Sequence, residues 1–491
     1  MKALFLIVAA AVFALFAGLG LAVVGGLGLL VLVPVVAAVL IVYDYRIGVV
    51  VLALIIPLSG SMFVPRAEGL NPYTYVTAAA VAGLMLRKFS GPSRLVWPPR
   101  ILLYCFVLPL GVGFFLGLPH LGEGARNLLK IDPGAVLDTI AYLKQFIHKP
   151  LVLLLFACLL ANAIVDSKQP GRFVVLFAVS ASMVVIYVML FTWFSGVSWG
   201  AHRLVINKAG MHYNAYGQLF ALAFGPLLYV AFSERGPWRL FFGCAAMIVF
   251  VGLVLNFARA GMLAALITLA ILLWQRRSLG VAVSLVCLVA IVFLGAPDEW
   301  RSRMLQGSDE VATSYSGERY EALTSGRVQG WLDLAPDVAL SPLYGRGMLS
   351  TLWSTAVTQG LYASNHPHNM YLQLLLDVGL LGAMLVLYFF YRMLRRMREL
   401  SRDEGMEPRL RAFFAGSFAS YAGVLALAVT GWDWYPTHEQ GFLWFSLGFV
   451  FAYWNRSASR ATQDRAGTTA AVKPPLPVGP WRPMSPTHVR R

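Results

Sequence analysis

"NHPHNMYLQLLLDVGLLGAMLVLYFFYR", Asn365 to Arg392, sets a polar knot with two histidines directly against a long apolar run. From Met370 to Tyr391 only Gln373 and Asp377 interrupt that run with an amide or a charge. About 20 such residues span the hydrocarbon core of a bilayer as a helix. In lipid each span must satisfy its own backbone hydrogen bonds, which selects helices over strands here. Comparable runs recur along the whole chain. Of its 491 residues 58% are hydrophobic and only 13% charged, where soluble domains carry roughly 25%. The expectation is an all-α, polytopic membrane bundle of about 12–14 transmembrane helices.

Apolar runs read against Lys and Arg flanks place the span centres near residues 13, 35, 56, 79, 110, 158, 184, 224, 248, 268, 288, 381, 420 and 446. The net charge of +16 raises a nucleic-acid reading. Yet about two-thirds of the 39 Lys and Arg fall on alternate connections and the tail, the positive-inside pattern. No basic stripe with interleaved aromatics stands out. Both termini are expected in the cytoplasm, and the opening "MKALFLIVAAAVFALFAGLG" reads as a retained first span, not a cleaved leader. Residues 1–454 then form the transmembrane domain and 455–491, rich in Pro, Arg, Ser and Thr, a disordered cytoplasmic tail. Cys105, Cys158, Cys244 and Cys287 lie in apolar runs without CxxC spacing, which indicates neither a disulfide framework nor a zinc site.

The outer face receives the long connections. In Pro119 to Lys149, "VLDTIAYLKQFI" puts Leu137, Ile140, Ala141 and Phe146 near one helical side, suited to lying in the interface. The longest connection, about 296–370, holds Trp331, Leu334, Leu340, Leu343 and Trp353, enough apolar material to fold down onto the membrane.

The knot itself offers a base. Pro367 suits a first helical turn, and His368 would follow it there. The positive end of a helix favours the neutral imidazole, which can accept a proton. Asn369 and Tyr371 could orient that ring or a sugar hydroxyl. The plainer reading makes the histidines a helix cap and interfacial anchor. His212, His366, His368 and His438 all fall on the outer side, but no HxxxH or HExxH spacing supports a metal site. Arg259, in "LNFARAGMLAALITL", sits where one span leaves the outer leaflet and the next re-enters, a costly depth unless it serves a polar cavity. Arg327 and Arg203 add cations on the same side, with Glu318, Glu321 or Asp333 as alternative ion-pair partners for Arg327. Planar guanidinium groups suit phosphate oxygens. Arginines to hold a lipid-borne anion and a histidine to deprotonate a hydroxyl fit sugar transfer from a lipid-linked pyrophosphate. No DxD or carboxylate cluster is apparent in the loops to hold a divalent ion, so arginine would take the metal's part and no cofactor is expected.

His368-Asn369, nine residues, then Gly379-Leu380-Leu381-Gly382 is similar to the signature of the O-antigen ligase and polymerase superfamily. "MHYNAYGQLFALAFGPL", "NFARAGMLAALI" and "SGRVQGWLDLAPDVALSPLYGRG" resemble it more loosely, so that the likeness covers about Arg203 to Phe390. The resemblance implies a GT-C-like, metal-independent glycosyltransferase in the bacterial inner membrane, with its site facing the periplasm. Its donor would be a glycan on undecaprenyl pyrophosphate. Its acceptor would be lipid A–core for a ligase, a second lipid-linked repeat unit for a polymerase, or protein in some members. By position, Arg259 and Arg327 match the donor-binding arginines and His368 the base, while Arg203 and His366 align less closely. The His-Asn-x9-Gly-x-x-Gly spacing leans toward the ligases, although this chain has about two more spans and a longer tail. A lipid-glycan transporter is the rival from another class. Transporters place ionisable groups near the midplane, where this sequence offers only Asp377.

Overall fold

The structure is a computed structural model that describes residues 28–62, 64, 71–91, 95–197, 202–276, 295, 298, 301 and 327–456. The expected spans near residues 13 and 288, Cys287 and residues 457–491 lie outside the described residues. Contacts divide the chain into Met1–Ala452 and Tyr453–Arg491, and every element below belongs to the first unit.

The described residues form helices and no strand. In order they are α1 (Gly28–Tyr43), α2 (Tyr45–Ile55), α3 (Pro72–Phe89), α4 (Arg100–Ile131), α5 (Thr139–Val165), α6 (Gly171–Phe194), α7 (His202–Lys208), α8 (Tyr213–Ser233), α9 (Gly236–Leu255), α10 (Arg259–Arg276), α11 (Arg327–Leu340), α12 (Met370–Ser401), α13 (Pro408–Leu427) and α14 (Gly441–Ala452). Among the described residues seven helices are long and apolar enough to cross a membrane: α4, α5, α6, α8, α9, α12 and the segment Pro408–Thr430 that contains α13. The expected spans near 35, 56, 268 and 446 are shorter than that, and α3, near 79, is not among the seven. Tyr45–Leu58 is separated from Pro34–Tyr43 by the helix-capping Asp44, and α14 has 12 residues, nearly all buried.

α8 is the hub. Its apolar window is 83% buried, against 39% for α9, which faces outward. It packs on α9, α10 and α13. Small residues permit the close approach that tight packing in lipid needs. A Cβ on Gly225 would lie 2.6 Å from the Gly416 carbonyl of α13, and one on Gly261 of α10 would lie 2.7 Å from the Gly217 carbonyl. Ser420 seals the α8–α13 contact, accepting from Gly225 N at 3.0 Å and donating to Ala221 O at 2.8 Å.

The long connection does fold onto the bundle, through two small apolar clusters. Leu128, Leu352 and Trp353 join it to the end of α4, and Leu334, Ala356 and Leu376 join it to α12. Leu340 and Leu343 lie outside these clusters and are exposed. Asp337, buried in α11, pairs with Arg346 and accepts from Thr355 N at 2.9 Å, so the connection is also pinned to itself. "VLDTIAYLKQFI" is not a separate interfacial helix: from Thr139 it is the first turns of the span α5, burying Tyr142 and Phe146 and exposing Ile140.

α12 is broken at Gly379, which has φ 65° and ψ −172°. The gap is filled by backbone from residues 342–347. Leu380 N donates to Pro342 O at 2.8 Å, Leu381 N to Leu343 O at 3.2 Å, Arg346 N to Leu376 O at 2.7 Å and Gly347 N to Asp377 O at 2.9 Å. Contact is so close that a Cβ on Gly379 would lie 2.4 Å from Leu343 C and Tyr344 N. The buried carboxylate of Asp377 accepts from Ser350 Oγ at 2.9 Å and Trp434 Nε1 at 3.0 Å, joining three segments.

Gly379→Ala combines a positive φ with a steric clash and should destabilise by more than about 2 kcal/mol. Gly111→Ala, in α4 with nothing within 4 Å of the new methyl, should be neutral or slightly stabilising. Thermal unfolding of the two variants in detergent, with the order reversed, would contradict this description of the break.

Candidate active site

A cavity of about 830 Å³ opens where α5, α8, α10, α11 and α12 meet the segment 430–439. It is lined by His368, His366, Arg259 and Arg327, four of the residues singled out by sequence. Each is delivered by an element end. Arg259 opens α10 after the turn Asn256–Phe257–Ala258, and Arg327 opens α11, with its Nη1 donating to the Thr430 carbonyl. Asp333 instead accepts from Gln329 at 2.8 Å.

His368 does not sit in the first turn of α12. The helix begins at Met370, with Asn369 as its cap, Oδ1 accepting from Tyr371 N at 3.0 Å and Leu372 N at 3.2 Å. That bond employs Asn369 in the helix and leaves it out of the cavity lining. Tyr371 likewise turns away, its Oη donating to Leu425 O of α13 at 2.6 Å. Arg203 lies in α7, but its side chain is outside the described residues. Pro367 precedes the helix, its carbonyl accepting from Trp331 Nε1 at 2.9 Å.

The backbone around the cavity is strained. Phe257, Leu349 and His368 are the non-glycine residues with positive φ among those described, at 57°, 67° and 51°, and all three line it. Such conformations cost about 1–3 kcal/mol each and gather at functional sites. α5 also carries a π-helical turn, Lys144–His148, which presents Gln145 and Phe146 to the same space. A Cβ on Gly431, φ 120°, would lie 3.7 Å from His368 Cα, and the Gly431 carbonyl accepts from Gln218.

The two histidine rings touch, with centroids 3.8 Å apart. Removal from water favours the uncharged ring. Burial, and then the nearby His366, Arg327 and His212, push His368 down from the ordinary 6.5 to about 3. His366 is lowered too, by burial and Arg327 against the opposing pull of Asp433. Both rings are therefore neutral at pH 7.

Two further site residues escaped the sequence reading. Asp433 and Glu439, from "WDWYPTHEQ", both line the cavity, so the loops do bring a pair of carboxylates together. Burial and Asp433's charge push Glu439 up to about 7, with Lys149 opposing. Asp433 is raised by burial, against the influence of His366 and Lys149. Two acids between apolar spans were themselves a signal, but five residues separate them, and their convergence depends on the fold. Gln145, Asn214, Gln218, Gln373, Trp331 and Trp432 complete a lining of amides and indoles suited to sugar hydroxyls and ring faces. Among the described residues no group of three or more His, Cys, Asp or Glu is placed to hold a metal ion.

Because an unfolded chain protonates its histidines near pH 6.5 and the folded rings resist, stability should be complete above pH 6.5 and drain as pH falls toward 3. The raised acids work in the opposite direction, so a variant comparison isolates the ring. His368→Gln should show a smaller loss of Tm between pH 7 and pH 5 than the parent protein. An unchanged loss would mean that His368 titrates normally in the fold.

Residues 244–387, under a third of the chain, match a protein-family model described as O-Antigen ligase. The matched segment contains Arg259, Arg327 and His368 but neither Asp433 nor Glu439. No curated protein and no solved structure matches the chain.

Proposed function

With residues 244–387 a segment of the O-antigen ligase superfamily as premise, we propose that the protein transfers a glycan from undecaprenyl pyrophosphate to an acceptor hydroxyl at the periplasmic face of the bacterial inner membrane. One observation carries this reading: a single cavity gathers Arg259, Arg327 and His368 from three segments distant in sequence. The two guanidinium groups bind the donor's pyrophosphate oxygens with planar, paired hydrogen bonds. They also stabilise the charge that collects on that group as it leaves.

His368, neutral and beside them, accepts the acceptor hydroxyl's proton. The acceptor oxygen bonds to the anomeric carbon, the carbon–oxygen bond to pyrophosphate breaks, and undecaprenyl pyrophosphate departs with the electron pair. The amides and indoles around the base position the sugars. The strain at His368 sets the ring before substrate arrives, which spares reorganisation during the reaction. The ligase acceptor is lipid A–core. A second lipid-linked repeat unit as acceptor would make the same chemistry a polymerase.

Arg259→Lys and Arg327→Lys keep the charge but lose the planar fork, and each should lower transfer by roughly 10- to 100-fold. Arg346→Lys, remote in role because Arg346 pairs with buried Asp337, should chiefly lower Tm. Transfer by purified protein should survive EDTA. Full activity in both lysine variants, or EDTA inhibition reversed by Mg²⁺, would contradict pyrophosphate binding by arginine.

A further inference from the structure

Ser364 Oγ lies 3.0 Å from the carbonyl oxygen of His366 and 3.4 Å from Nε2 of His368. A carbonyl oxygen has no proton to give, so the hydroxyl's one hydrogen is committed to it. Toward His368 the hydroxyl then presents a lone pair, which only a protonated Nε2 can meet favourably. A neutral imidazole carries a single N–H. With that proton on Nε2, Nδ1 holds the free electron pair.

His366 is fixed in a compatible way. Its Nδ1 accepts the backbone N–H of His368 at 3.1 Å, so its own ring proton is on Nε2 and it offers no basic nitrogen. Tyr362 Oη donates at 2.9 Å to the same His366 carbonyl that Ser364 holds. The loop is thereby anchored by two hydroxyls, of which Ser364 alone also reaches the His368 ring among the described residues.

We propose that Ser364 is a positioning residue for the transfer: its hydroxyl holds His368 with the proton on Nε2, so that Nδ1 takes the acceptor's proton. This rests on the reading of His368 as the base. As the acceptor's O–H breaks, its proton moves to Nδ1 and the oxygen's electron pair forms the bond to the anomeric carbon. The bond to pyrophosphate breaks toward the leaving group. The ring becomes imidazolium, and its Nε2–H still faces the Ser364 lone pair, so one arrangement serves the ring before and after proton transfer. The general rule is that the partner of one ring nitrogen decides what the other can do. Burial of the ring, which keeps it uncharged, makes the choice of tautomer matter.

The test uses the full-length protein in nanodiscs with 15N-labelled histidine, the His368 signal being assigned by its loss in His368→Ala. The parent protein should show His368 protonated at Nε2, and Ser364→Ala should show a mixture of tautomers. Transfer by Ser364→Ala should have kcat lowered about 10-fold with KM for the donor within about twofold, since proton transfer and not binding is affected. Ser364→Thr keeps the hydroxyl and should restore both readouts. Tyr362→Phe removes the other hydroxyl from the His366 carbonyl and should leave tautomer and kcat unchanged, which a merely loop-holding role for Ser364 would not allow. A parent His368 protonated at Nδ1, or a Ser364→Ala enzyme with parental tautomer and kcat, would overturn the role of Ser364. Undiminished transfer by His368→Ala would overturn the base assignment itself, a separate failure.

Discussion

A backbone polar group cannot be left unpaired in lipid, and the break in α12 at Gly379 leaves several. Residues 342–347 supply the missing partners through four backbone hydrogen bonds, so a connection between helices becomes part of a span. That constraint organises the part of the molecule around the cavity. It fixes residues 341–353 against α4 and α12, and through Asp337 and Arg346 it fixes α11, which brings Arg327. Asp377, two residues before the break, adds Ser350 and Trp434 to the same junction. Trp434 in turn adjoins Asp433, so the acid side of the cavity is tied to the break as well.

The cavity above this junction separates its charges. Arginines from α10 and α11 provide cationic groups, the segment 433–439 provides two acids, and the histidine pair is kept neutral among them. A group that carries no charge at rest can receive a proton without first losing a counter-ion. The depressed His368 is by itself a weak base. An anionic pyrophosphate close to Arg327 would offset part of the positive field that depresses it, and so would couple base strength to donor binding.

Much of this was legible in the sequence. Hydropathy and charge gave helical spans, because lipid admits few other solutions. Arg259, Arg327 and His368 stood out because an arginine or histidine at a span end demands a reason. What sequence could not supply was direction. Asn369 and Tyr371 are as polar as His368, yet one is used in capping α12 and the other bonds to α13. Asp433 and Glu439 were invisible as a pair, since a local search for DxD cannot detect acids brought together by a turn. Gly379 was read as part of a signature. Its physical cause, a crossing backbone that a Cβ would approach to 2.4 Å, belongs to tertiary structure. Likewise "VLDTIAYLKQFI" has the pattern of a surface helix, but Tyr142 and Phe146 have a core to enter and pull it into α5.

The central claim is that one cavity performs glycan transfer with His368 as base. The most direct measurement incubates purified protein with a polyprenyl-pyrophosphate oligosaccharide and, separately, lipid A–core or excess donor as acceptor, comparing the parent with His368→Ala. The account predicts product on lipid A–core from the parent and at least about a 100-fold lower rate from the variant. Lengthened lipid-linked chains in its place would keep the chemistry and change the acceptor. Equal product from parent and variant, or movement of labelled lipid-sugar across a vesicle membrane with no transfer to either acceptor, would contradict it.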